Sequence, residues 1–108
     1  MNSNVELNGN VLTLHVNGDL ISTNSAALRN EIDELLAPAN STPTQWKTFK
    51  LDLSSAGMID SVGLNLVVSL LKRVRSRDSR LQIAYSDENI LRTLTFTRLD
   101  KQVELVKV

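Results

Sequence analysis

Met58-Ile59-Asp60-Ser61-Val62-Gly63-Leu64 joins a strand-like run to a helix-like one, the junction of a β-α unit. Upstream, Phe49, Leu51 and Leu53 alternate with Lys50 and Asp52, the period of a half-buried strand, which ends in Ser54-Ser55-Ala56-Gly57. Downstream, a helical period runs from about Ser61 to Arg75. Leu64, Val67, Val68, Leu71 and Val74 form one apolar stripe, suited to packing on a sheet. Val62, Leu66 and Leu70 form a second on nearly the opposite side, which suits either a neighbouring helix or an exposed partner-binding strip beside Ser61. The first N–H groups of a helix lack intrahelical partners and carry the positive end of its dipole. Ser61 is placed to cap them, and a phosphate on it would meet the same donors. Gly63, lacking a side chain, lets something approach the first turn closely.

Toward the N-terminus, Val5-Glu6-Leu7 and Val11 to Val16 flank Asn8-Gly9-Asn10, a hairpin signal because Asn and Gly tolerate positive φ. Ser22-Thr23-Asn24-Ser25 supplies capping chemistry for a helix carrying Leu28, Ile32, Leu35 and Leu36 on one face, which Pro38 stops. Ala37 to Thr48 reads as a long loop, with Trp46 covering a core edge. Leu81, Ile83 and Tyr85 mark another strand. Ser86 or Asp87 caps a third helix through Ile90, Leu91 and Leu94, and Val103 and Leu105 begin a last short strand. The order β-β-α-β-α-β-α-β predicts an α/β fold: a mixed, largely parallel, four- to five-stranded sheet packed with helices, with the hairpin as an antiparallel edge. Residues 1–108 read as a single domain without repeats.

Composition narrows the chemistry. A length of 108 residues suits one core, and the absence of cysteine removes disulfides, thiolate metal sites and cysteine nucleophiles. Twelve basic residues balance twelve acidic ones, so the excess charge of a dedicated nucleic-acid binder is missing. No apolar run nears the ~18 residues of a membrane span, and the polar start is unlike a signal peptide, so membrane insertion is not expected and a cytoplasmic location is.

The quoted stretch resembles the signature of STAS domains, specifically bacterial anti-sigma factor antagonists. In that family a strand ends Asp-Leu-Ser, here Asp52-Leu53-Ser54, and after a gap Asp-Ser-Ser/Thr-Gly-Leu opens a helix, here Asp60 to Leu64. Asn17-Gly18-Asp19-Leu20 followed by Ala26, Ala27 and Leu28 is similar to the family's Gly-Glu-Leu-Asp turn and first helix, and Leu91 to Asp100 to its third helix and the Thr-Gly-Leu after it. The resemblance implies a non-enzymatic partner switch without cofactors. The unphosphorylated protein binds a histidine-kinase-like serine kinase that acts as an anti-sigma factor. That kinase phosphorylates the serine after the motif aspartate, here Ser61, which ends binding, and a PP2C-type phosphatase restores the hydroxyl. Asp60, Ser61, Val62, Gly63, Leu66 and Leu70 are the expected partner-binding residues. The alternative is a constitutive STAS accessory subunit, of a lipid-transport or ligand-sensing complex, with Ser61 only a helix cap. Three positions depart from the pattern: Ile21 stands where an acidic residue often follows the leucine, Val62 replaces a second hydroxyl, and Arg98 occupies the glycine of Thr-Gly-Leu.

Other chemistries fit poorly. A serine nucleophile needs a histidine base held by a carboxylate, and the single histidine, His15, lies on a strand far upstream of Ser61. No glycine-rich phosphate loop occurs, and metal ligands are not clustered. Lys72, Arg73, Arg75, Arg77 and Arg80 gather five of the twelve positive charges at one helix end, where they suit the negative end of the dipole or an acidic partner surface.

Overall fold

Five strands lie side by side in chain order, and this order dictates where everything else goes. The computed structural model describes residues 3–36 and 46–108. β1 (Ser3–Asn8) and β2 (Val11–Val16) form the hairpin, followed by α1 (Ser22–Leu36), β3 (Thr48–Leu53), α2 (Ser61–Arg75), β4 (Arg80–Tyr85), α3 (Glu88–Phe96), a single 3₁₀ turn (Leu99–Lys101) and β5 (Glu104–Lys107). β1 pairs antiparallel with β2, and every later neighbour is parallel. The hairpin turn is Gly9-Asn10, with Gly9 at φ +58° in the position that needs it. Pro38 and most of the predicted loop fall outside the described residues, and Thr48 belongs to β3 rather than to that loop.

Each crossover moves one strand in the same direction, so crossovers of one hand set all three helices on the same face of the sheet. Strand burial follows. Leu12, Leu14 and Val16 of β2, Phe49, Leu51 and Leu53 of β3, and Leu81, Ile83 and Tyr85 of β4 are buried beneath the helices. Leu14, Leu51 and Ile83 are register partners across the three central strands. Their alternates His15, Lys50, Asp52 and Gln82 lie on the opposite, open face. Trp46 closes one core edge as expected: it is buried, meets Phe49 edge-on with ring centroids 5.8 Å apart, and is covered by the Arg77 guanidinium 3.9 Å above its ring.

The second stripe of α2 is not an open strip. Leu66 and Leu70 are only 2% and 1% exposed, because α1 packs against α2. A helix flanked by a neighbour on the same sheet face needs an apolar seam as well as an apolar base. Arg73 and Asp33 bridge the rim of that seam at 2.5 Å. Among the described residues, no helix is long and apolar enough to cross a membrane.

Candidate functional site

After β3 the chain turns through Ser54 to Gly57 and then runs beside Leu20. Leu20 and Ile59 form an isolated parallel bridge, in which Leu20 N–H donates to the Met58 carbonyl (3.0 Å) and Asp60 N–H to the Leu20 carbonyl (3.2 Å). The Asp19 carboxylate fastens the same two turns by accepting from Gly57 N–H at 2.7 Å. This places the head of α1 beside the head of α2.

Asp60 sits between them. Its backbone is extended (φ −94°, ψ −176°), as a cap requires, and its Oδ1 accepts from Gly63 N–H of α2 at 2.8 Å. Its Oδ2 accepts from Ser22 N–H, the first residue of α1, also at 2.8 Å. The bond from Gly63, and then that from Ser22, hold the Asp60 carboxyl below the usual aspartate range. Asp60, not Ser61, is therefore the cap. Ser61 is already helical, so its side chain cannot reach back to the donors that an extended residue meets. Ser61 is exposed, and its hydroxyl has no hydrogen-bond partner among the described residues.

What approaches Gly63 is the chain's own backbone. A Cβ there would lie 2.2 Å from the Leu20 carbonyl oxygen, so the glycine is a packing requirement and is buried. Of the six residues expected to meet a partner, the structure brings Asp60, Ser61 and Val62 to the surface and buries Gly63, Leu66 and Leu70. The exposed apolar neighbours are Val62 (42%) and Met58 (53%), with the polar Ser22 and Thr23 across the Asp60 contact. Met58, Ser22 and Thr23 were not legible as surface from periodicity. The only hint is that Met58 falls between a strand and a cap, where neither period buries it.

Ile21 immediately precedes Ser22, and its carbonyl accepts from Ser25 N–H and Oγ, so an acidic residue is missing at the shoulder of the site. Arg98 has φ +64°, in the left-handed region just past the end of α3, where glycine bears no Cβ penalty. His15 is engaged elsewhere: Nδ1 lies 2.5 Å from the Asp52 carboxylate and Nε2 against that of Glu6, on the open sheet face. Both ring nitrogens have carboxylate partners, so neither serves Ser61 as a base. Asp52 and Asp60, which share the motif in sequence, have separate partners in space.

The family model of the STAS domain matches residues 2–108. The chain is similar to a Thermotoga maritima protein assigned as an anti-sigma factor antagonist, at 25% identity over 98% of this chain and 86% of that one, with a TM-score of 0.82. An anti-sigma factor antagonist from Mycobacterium paratuberculosis shares the fold at 22% identity, covering 96% and 83%, with a TM-score of 0.80. So does the Bacillus cell-fate determinant SpoIIAA in its phosphorylated form, at 13% identity, 99% and 91% coverage and a TM-score of 0.71.

Proposed function

The chain belongs to the STAS domain family, and on that premise we propose that it is a partner-switching anti-sigma factor antagonist controlled by phosphorylation of Ser61. One observation carries the reading: Asp60 does the capping, which leaves the exposed Ser61 hydroxyl uncommitted at the head of α2. A serine that only capped its helix would have its oxygen turned inward on the N–H groups. This argues against the accessory-subunit alternative in the form that makes Ser61 a cap.

In the unphosphorylated state the surface around Ser61, with Met58 and Val62 as apolar contacts, binds a histidine-kinase-like serine kinase acting as the anti-sigma factor. The kinase transfers the γ-phosphoryl group of ATP to Ser61 Oγ, releasing ADP and the hydroxyl proton. The phosphate brings a charge of about −1.5 to −2. One donor at the head of α2, Gly63 N–H, is already taken by Asp60, which also holds Ser22 N–H of α1. The new charge therefore stays beside a carboxylate and faces the partner, where desolvating it opposes contact. A PP2C-type phosphatase hydrolyses the ester and resets the surface. The domain acts as a binding module, not a catalyst.

The test is to incubate the protein with ATP and the HATPase-type serine kinase encoded nearest to it, then map phosphate by mass spectrometry. Modification of Ser61 is expected. Phosphate mainly on Ser54, Ser55 or Ser69 would sink the assignment.

A further inference from the structure

The basic cluster at the far end of α2 sorts itself in space. Arg73 pairs with Asp33, and Arg77 lies over Trp46. Arg75 and Arg80 instead join Lys101, from the 3₁₀ turn, in lining a cleft of about 390 Å³ between α2, β4 and the lead into β5. Among the described residues none of these three cations pairs with a carboxylate. Arg75 is held in place, with Nη1 donating to Gln102 Oε1 at 3.1 Å and Nη2 to its carbonyl at 3.4 Å. The one acid in the lining, Glu104, is engaged by the Gln82 amide. Leu71, Leu81 and Val103 supply apolar lining.

We propose that this cleft binds a small organic phosphate. Three cations against one acid favour an anion of two charges, and guanidinium groups match phosphate oxygens in number and geometry. The apolar lining gives the carbon skeleton a place that inorganic phosphate does not use, and the volume lies within the range of small-ligand sites. The cleft lies the length of α2 away from Ser61, about 20 Å at the helical rise, and at the opposite ends of the parallel strands. It is therefore a separate site, independent of the proposed phosphorylation.

The experiment is an amide-resolved NMR titration of the intact protein at constant ionic strength, with adenosine monophosphate, glycerol phosphate, inorganic phosphate and an oligoglutamate peptide. At least one organic phosphate is expected to bind with a dissociation constant of about 1 mM or tighter, and at least roughly five-fold better than inorganic phosphate. Shifts should centre on Arg80, Lys101, Gln102 and Val103. Adenosine monophosphate alone would mark a nucleotide site, and both would mark a general phosphate-monoester site. Arg80→Gln and Arg75→Gln should each weaken binding about five- to ten-fold while the remaining spectrum stays that of the folded protein. The proposal is overturned if neither organic phosphate saturates below ~10 mM, if inorganic phosphate binds as well, if the shifts centre on the head of α2, or if only oligoglutamate binds, which would make the cleft a protein-docking surface.

Discussion

Asp60 and Ser22 are joined by a hydrogen bond of 2.8 Å from the backbone of α1 to the carboxylate that also caps α2. One side chain thus serves two helix heads, and it stands directly before the serine proposed as the switch. Under the proposed function, stability and switching are divided between adjacent residues.

That division makes a prediction about folding. Ser61→Ala removes no hydrogen bond to another described residue, so it should change stability by no more than about 0.5 kcal/mol. Asp60→Ala strips the acceptor from both Gly63 and Ser22 and should lower the urea midpoint clearly more. Equal midpoints for the two variants would contradict the assignment of the cap.

Gly63→Ala tests the close approach of the two turns. The added Cβ would meet a backbone carbonyl at 2.2 Å, which no rotamer change relieves, so α2 or the Leu20 turn must shift. Overpacking of this kind should cost about 3 kcal/mol or more, read from denaturant unfolding. A nearly neutral variant would mean that the turn yields easily.

Arg98→Gly should go the other way. A residue with a Cβ at φ +64° bears a left-handed penalty that glycine does not, offset in part by glycine's greater freedom in the unfolded chain. A net gain of about 0.5–1 kcal/mol is expected in denaturant unfolding. A loss would show that the arginine side chain contributes more than its backbone costs.

His15 predicts a pH dependence. Hydrogen bonds that the imidazole donates to the Glu6 carboxylate first and to that of Asp52 second raise its pKa above the ordinary histidine value of 6.5, and Lys50 shares the open face. A folded-state pKa raised above the unfolded one contributes stability that is fully present below the unfolded value and is lost as pH rises through the folded value. Urea midpoints should therefore fall as pH rises from 6.5 past the raised value, and His15→Asn should flatten that slope. Glu6→Gln should bring the imidazole titration seen by NMR back toward 6.5. An imidazole titrating at or below 6.5 in the wild type would refute the bridge.

The fold was legible because alternation in Phe49 to Leu53 and Leu81 to Tyr85, and helical period in Ser61 to Arg75, report burial directly. Sequence order then fixed the face of each helix through crossover handedness. The site was legible only at its centre. Whether Leu66 faces solvent or α1 depends on how closely two helices are set, and no single helix carries that information. Likewise, Asp60 and Ser61 both have capping side chains, and only the backbone angles decide between them. The left-handed backbone at Arg98 belongs to the turn after α3, and no local sequence pattern reports it.

The last prediction separates binding from folding at Ser61, and it rests on the partner-switch reading. Ser61→Ala cannot be phosphorylated and leaves Met58, Val62 and the Asp60 clasp in place, so it should bind the kinase persistently and hold the output on. Ser61→Asp puts a carboxylate at the first position of α2, which favours the helix by up to ~1 kcal/mol. The same charge stands beside Asp60 on the contact surface, so partner affinity should fall by about ten-fold, less than the full phosphate achieves because one carboxylate carries a smaller charge. Thermal melts should find both variants folded, while calorimetric titration against the kinase separates them. If both bind as the wild type does, Ser61 is not the switch, and the constitutive accessory role becomes the better account of the same fold.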